Sequence, residues 1–441
     1  MYYQGTMRRV FVLVGLVALA CQDTATAPLE LEPVLSARAL WSGGELRITD
    51  AAFAGQVVRV VLDHDTLPTQ SLDDTTVAVR LPRRVGTFPV QVIAGSTAAS
   101  AGDVTLHGFQ SAMYSVAFMS GQPYAIPGGG APLIFAGSDP GAAVFDLSTG
   151  TAIQTLPESL FTPDCIWTPS PSNDANRFVL MGKRADGSCG AAKLWSIRPT
   201  PEFIDSLAAG AGTTWYTSGQ PSPRRWIFNW NNNNHLWICD TGCVFNFYQS
   251  ADGPDGVTIS PRGDRFLWLP AAELTVYDSR TLDTAFVLPG WYYIHGAFSA
   301  EGDTLALTAS EDTAEDRKHL LFVRADDGIV LRDVRLDSLY QQTDFVLTGP
   351  VAADPVRPWL YATLFVRSAA GEWTLRVVVV DRTNGAILGV LDTPVSFPVP
   401  YAPAAVVPSP LEHRVYIVLS ANGYKVHGFR GTILRYSTPQ N

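Results

Sequence analysis

Gly256-Val257-Thr258-Ile259-Ser260-Pro261-Arg262-Gly263-Asp264-Arg265-Phe266-Leu267-Trp268-Leu269 reads as two short strands joined by one tight turn. β-branched and aromatic residues favour the strands, while Pro fixes φ and Gly accepts a positive φ between them. A third apolar run, Leu274-Thr275-Val276-Tyr277, closes on Asp278-Ser279-Arg280-Thr281-Leu282. The unit then recurs. Gly296-Ala297-Phe298-Ser299 leads through Gly302-Asp303 to Thr304-Leu305-Ala306-Leu307, and Leu321-Phe322-Val323 ends at Asp326-Asp327-Gly328. Ala353-Asp354-Pro355 leads to Trp359-Leu360-Tyr361-Ala362, and Val378-Val379-Val380 to Asp381-Arg382-Thr383-Asn384-Gly385. The last copy has Pro408-Ser409-Pro410, then Arg414-Val415-Tyr416-Ile417-Val418-Leu419, then Ile433-Leu434-Arg435-Tyr436. Upstream copies centre on Pro171 and Pro223, and the first runs from Ala131 to Gly150. Seven units share about 330 residues, roughly 47 each, the size of a four-stranded propeller blade. A lone blade has two apolar faces and must be flanked on both, so the array is expected to close. The final copy is one strand short, and a strand near Ala112–Met119 is expected to complete it. The Asp residues at the turns accept backbone N–H bonds and so read as turn-formers rather than catalytic acids.

These repeats resemble the YVTN-type seven-bladed propellers of bacterial surface proteins, best over Pro254-x-Gly256-Val257 and Ser260-Pro261-x-Gly263. The resemblance covers most of 109–441 and implies a fold more than an activity. Ahead of the array, from Leu31 to Gly108, short alternating strands such as Glu45-Leu46-Arg47-Ile48-Thr49 and Thr75-Thr76-Val77-Ala78-Val79-Arg80-Leu81 predict a β-sandwich of five to seven strands. Gly44 to Phe53, and Val79-Arg80-Leu81-Pro82 running on to Val85-Gly86-Thr87-Phe88-Pro89-Val90-Gln91-Val92, resemble the IPT/TIG group of immunoglobulin-like domains. That family usually has Gly where Asp50 sits. The expected fold class is therefore all-β, a small immunoglobulin-like sandwich followed by a seven-bladed β-propeller.

Arg8 and Arg9 precede an apolar run of eleven residues, Val10 to Ala20, which ends at Cys21. This run is too short to cross a hydrocarbon core of ~30 Å and suits the core of an export signal. Val17-Ala18-Leu19-Ala20-Cys21 resembles a bacterial lipoprotein signal, which implies acylation of Cys21; Ala18-Leu19-Ala20 also reads as an ordinary A-x-A cleavage site. Either way the chain divides into a signal peptide at 1–20, a Thr/Ala/Pro/Glu-rich tether at 21–30, the sandwich at 31–108 and the propeller at 109–441. The expected location is the cell envelope, as a lipoprotein of the outer membrane or periplasm that touches membrane only through its anchor. Without Cys21 four Cys remain, an even number that suits two disulfides in an oxidising compartment. Proximity favours Cys239–Cys243 and Cys165–Cys189, one of three possible pairings. The spacing lacks a two-knuckle zinc pattern.

A net charge of −10 and the absence of a basic run argue against a nucleic-acid partner. No H-E-x-x-H, G-x-S-x-G or phosphate-loop pattern occurs, Gly128-Gly129-Gly130 lacking the Lys, so neither metal nor cofactor is expected. Asp63-His64-Asp65, and Glu311-Asp312 with Glu315-Asp316, read as solvated acidic turns rather than calcium loops. Asn231 to Asn234, between Trp230 and Trp237, read as a long hairpin loop or a recognition loop. Propeller ligands gather at a channel mouth, where residues just before each innermost strand converge. Here those residues are Asp164, Trp215, Asp255, His295, Asp344 and Tyr401. The first expectation is a non-enzymatic binding scaffold for a protein or glycan at the cell surface. The alternatives are an exported enzyme, such as a lactonase-like hydrolase or a dehydrogenase, and a glycan-binding protein using Trp215, Trp230 or Trp291.

Overall fold

The computed structural model describes residues 30–108 throughout and, from 111 to 437, the strands with part of their connections. Side chains beyond 108 are described chiefly from Thr258 onward. Residues 34–107 form nine strands and one 3-10 turn, more strands than the alternation predicted, because four are only two or three residues long. They lie in two sheets. One has the order Val34–Leu35, Glu45–Thr49, Thr76–Arg80, Thr69–Ser71, and the other Ala39–Trp41, Thr97–His107, Gly86–Ala94, Val58–Leu62, Asp65–Leu67. The period-2 pattern of Glu45–Thr49 sends Leu46 and Ile48 inward, both fully buried, and leaves Arg47 and Glu45 half-buried. They share one core with Val60, Leu62, Val92, Val104 and Leu106. Asp50 follows with φ −159, an extended value open to any residue, and its carboxylate caps the 3-10 turn by accepting the Ala52 N–H at 2.8 Å.

The array holds six four-stranded antiparallel sheets and one three-stranded sheet among the described residues. In chain order sheet one covers Tyr124–Leu156, sheet two Ile166–Ala208, sheet three Arg225–Tyr248, sheet four Gly256–Pro289, sheet five Trp291–Arg335 and sheet six Phe345–Asp392. Sheet seven joins Ala402–Ser409, Arg414–Ser420 and Arg430–Ser437 to a strand from the other end of the array, Ser111–Ala117. Ser111 pairs with Tyr436 and Ala117 with Arg430. The strand expected near Ala112–Met119 thus supplies the missing fourth strand of the last copy.

Each turn type repeats for a physical reason. In the first hairpin of sheets four and five, Ser260 Oγ donates to Asp264 at 2.6 Å and Ser299 Oγ to Asp303 at 2.7 Å. The same hydroxyls accept the N–H groups of Arg265 and Thr304. Gly263 and Gly302 supply φ of +68 and +72 inside those turns. In the hairpin between third and fourth strands, Asp278 accepts the N–H of Arg280 and Thr281, and Asp381 that of Thr383. A register shift precedes this turn in five sheets, at Val144/Phe145, Leu194/Trp195, Val276/Tyr277, Phe322/Val323 and Val379/Val380. The two tips of one sheet are then tied together: the N–H groups of Ser279, Ala325 and Arg382 donate to the carbonyls of Asp264, Asp303 and Pro358. Adjacent sheets are joined at the same end by Arg382, 2.7 Å from Glu301 and 3.9 Å from Asp303.

Apolar seams fill the space between sheets. Leu267 and Val276 of sheet four meet Phe298, Leu305 and Leu321 of sheet five. The opposite face of sheet five, with Ala297, Leu320 and Phe322, meets Val346, Leu360 and Val378 of sheet six. The far face of sheet six meets Val406, Val415 and Ile417 of sheet seven, and this cluster also contains Trp41 from the N-terminal unit. Trp41 is 1% exposed and lies 5.2 Å from the Trp359 ring, centroid to centroid. Its backbone reaches the fourth strand of sheet six because Gly389 has no side chain; a Cβ there would come 2.6 Å from the Trp41 Cβ. Gly44 likewise lies against the Leu388 carbonyl, and Arg47 donates to the Asn384 carbonyl at 3.1 Å. Leu388 packs into both cores.

Two outcomes follow from this junction and these tips. Trp41→Ala should cost about 3–5 kcal/mol, the usual loss for a buried Trp, and should separate one denaturation transition into two. Gly44→Ala should do the same without removing apolar area; a single unchanged transition in both variants, followed by tryptophan fluorescence, would mean that the two units are not coupled. At the tips, hydrogen bonding from Arg382 holds the Glu301 carboxyl below its usual range, and hydrogen bonding from Ser299 does the same for Asp303. Their stabilisation is present above the ordinary carboxylate range and is lost as pH falls through the lowered values. Arg382→Ala should shrink that acid sensitivity, with a stability change at neutral pH of no more than ~1 kcal/mol for so exposed a pair.

Candidate functional site

The first strands of sheets four to seven lie side by side. His295 belongs to the first strand of sheet five, Trp291–Phe298, and is the one channel-mouth candidate among the described residues. Asp164, Trp215, Asp255, Asp344 and Tyr401 lie outside them, as do Cys21, Cys165, Cys189, Cys239 and Cys243.

His295 sits at a bulge. Tyr293 faces Ala309 and His295 faces Thr308, so Ile294 is the extra residue. The first strands of sheets six and seven bulge as well, between Thr348 and Val351 and between Pro403 and Ala405. Bulges locally unpair a ladder and re-aim side chains. The His295 N–H donates to Thr308 Oγ1 at 3.2 Å. By strand alternation His295 shares the face of Ala297, which packs toward sheet six. Thr348 of sheet six answers it with a buried hydroxyl that has no hydrogen-bond partner. Burial pushes the His295 pKa down to about 4, against an opposing contribution from the Thr348 backbone. The ring is therefore neutral at physiological pH. It can donate and accept hydrogen bonds there, but it is a weak base for proton transfer near pH 7.

The neighbours of His295 on that face are residues that the sequence reading did not single out. Thr308, Ser310 and Lys318 are all buried, and Lys318 Nζ donates to Ser310 Oγ at 3.0 Å. The Lys318 N–H reaches the Tyr340 hydroxyl at 3.3 Å, and the Arg376 guanidinium donates to the Leu339 carbonyl. One end of the seam between sheets five and six is thus polar and the other apolar. Their signal lay in Thr308 and Ser310, polar residues at alternate positions that follow the apolar run Leu305-Ala306-Leu307. On the other face of sheet five, the buried His319 ring meets Asp333 Oδ1 at 2.7 Å.

Other candidates resolve differently. Asp63 and Asp65 turn toward the Arg84 guanidinium, at 3.9 and 3.2 Å, and Arg84 also stacks on Phe88, 4.2 Å from the ring centroid. They form an ion-paired turn, as the acidic-turn reading expects. The Glu311-Asp312 and Glu315-Asp316 cluster lies almost wholly outside the described residues, with only the backbone of Glu311 placed at a strand end. The Asn run is not a long loop: Asn229 pairs with Asn234 and Trp230 with Asn233, leaving two residues between the strands. Among the described residues no group of three or more His, Cys, Asp or Glu is placed to hold a metal ion.

One chain of a solved mitotic checkpoint complex matches this structure with a TM-score of 0.50 at 11% identity, over 75% of this chain and 94% of that one. The array is a β-propeller. In all, 554 solved chains match, so the likeness marks a common fold. No family model matches the sequence, and no curated protein matches it. The propeller places His295 on a strand of its inner ring.

The His295 geometry predicts an acid response. The unfolded chain takes up a proton at the ordinary histidine value, the folded chain only near pH 4. Stability from this residue is complete above about pH 6.5 and falls as pH drops toward 4. His295→Gln should flatten the urea-denaturation profile between pH 7 and 5 by up to ~1.4 kcal/mol per pH unit. An identical slope in the variant would show that the ring is not buried in the folded state.

Proposed function

We propose that this chain is an exported, lipid-anchored envelope protein whose seven-bladed β-propeller is a rigid interaction scaffold for a protein partner. The observation that carries the reading is how the turn acids of the repeats are used. Asp264, Asp278, Asp303, Asp354 and Asp381 accept bonds from their own hairpins, which makes them parts of a frame rather than free chemical groups. The propeller neighbour belongs to a protein complex, which agrees with such a role. The seven sheets correspond to seven blades, with Ser111–Ala117 as the closing strand. The two-sheet unit at its N-terminal side is read as an immunoglobulin-like sandwich of the IPT/TIG kind, fixed on the rim of blade six through Trp41. Export rests on the Arg8-Arg9 and Val10–Ala20 signal, lipidation on Cys21, and an oxidising compartment on the four remaining Cys.

The anchor and the scaffold are tested separately. Expressed in a bacterium with lipoprotein processing and labelled with radioactive palmitate, the full chain should incorporate label and sediment with membranes. Cys21→Ser should lose both. Unlabelled, soluble wild-type protein would overturn the anchor. For the scaffold, crosslinking on intact cells should join the propeller to a defined envelope protein. Stoichiometric turnover of an ester or alcohol substrate that is abolished in His295→Gln would instead favour the enzyme.

A further inference from the structure

The N-terminal unit has two unlike ends. At the end welded to the propeller, Trp41 pairs with His107, Gly86 with Leu106 and Glu45 with Arg80. Only three residues separate Trp41 from Glu45, so this end is shared by both sheets. The registers gather the opposite ends as well. Thr49 pairs with Val34 and with Thr76, and Ala94 with Val58 and with Thr97. The strand Thr97–His107 runs from this free end to the docked one. At ~3.3 Å per residue it is about 35 Å long.

Single exposed apolar residues are ordinary on a surface. Here three of the unit's four large ones gather at the free end: Val57 is 79% exposed, Val34 66% and Leu72 42%. Residues 51–58 and 93–102 at this end contain no charged side chain. The Gly95 N–H ties the two stretches together by donating to the Val57 carbonyl at 3.3 Å. The exposed charges beside them, Glu30, Glu32, Asp73 and Asp74, are all acidic. The chain also enters at this end, with Glu30 nine residues after Cys21. Nine residues reach at most about 30 Å. A lipid on Cys21 therefore keeps the free end, rather than the propeller, beside the bilayer.

We propose that the free end of the N-terminal unit is a foot that rests on the lipid surface, with Val57 and Leu72 among zwitterionic headgroups and the propeller held off by the length of the sandwich. The proposal rests on the acylation of Cys21. It is tested on the full acylated chain in vesicles of phosphatidylethanolamine and phosphatidylcholine. A photo-crosslinking side chain is placed in turn at Val57, Leu72, Val85 and Val356. Irradiation should add the mass of a lipid at Val57 and Leu72. It should add none at Val85, exposed near the docked end, or at Val356, exposed on blade six. Phosphatidylglycerol should lower the yield at Val57 and Leu72 and salt should restore it, because the exposed acids repel an anionic surface over a Debye length. Val57→Asp should lose most of the lipid adduct at Leu72, with acylation and the melting curve unchanged. Acylated, membrane-bound protein that gives no lipid adduct at Val57 and Leu72 overturns the foot and leaves the anchor standing. So does an adduct there with residues 22–29 or with another protein, or an equal lipid yield at Val85 and Val356. Intact mass that shows no acyl group overturns foot and anchor together.

Discussion

Seven residue pairs between Ser111–Ala117 and Arg430–Ser437 join the two ends of the array. Sheets five and six have apolar residues packed on both faces, so each needs a neighbour on either side. Without the closing strand the last sheet would have three strands, and the ring would be held shut only by contacts between side chains. Main-chain hydrogen bonds at the closure make the first and last parts of a chain of more than three hundred residues one cooperative unit. That constraint also fixes where everything else sits: the tips tied by Ser, Asp and Gly, the apolar seams, and the inner ring of strands that carries His295.

The second determinant is the Trp41 junction. A sandwich joined by a loose linker would sample many positions, and contacts of a polar, transient kind are the ordinary expectation between domains. Here two glycines, Gly44 and Gly389, let main chains come close enough for a buried indole and a shared Leu388 to fuse two cores. The N-terminal unit is thereby a fixed part of the propeller's rim. The same contact covers Leu388 and Gly389 on the outermost strand of sheet six.

His295 and its surroundings illustrate how a fold can hold a polar site inside an apolar seam. Three successive inner strands bulge near the same level, where regular pairing would have continued the apolar ladder. Thr308, Ser310, Lys318 and Thr348 then line one end of the seam. Their cost is a buried, unpaired hydroxyl on Thr348, of order 1–3 kcal/mol. Their effect is a histidine that keeps its ring neutral through the physiological range.

Much of this was legible in the residues. Turn chemistry is local, so Ser260-Pro261-x-Gly263-Asp264 and Asp381-x-x-x-Gly385 announced their hairpins, and the strand count of the last unit announced the need for a closing strand. Alternation likewise placed Leu46 and Ile48 in a core. What the sequence could not reveal depends on partners distant in the chain. Nothing near Trp41 says that it packs between sheets six and seven, because the space it fills is made by Gly389 more than three hundred residues later. The Asn run looked like a loop because composition does not encode register, and pairing with Asn229 and Trp230 decided it. Of the six candidate ring residues only His295 falls among the described residues, where Thr308, Ser310 and Lys318 from the second and third strands of its own sheet share its face. Local residue chemistry determined the elements and their repetition; only the tertiary structure, which sets which faces meet, decided the seams and the weld at Trp41.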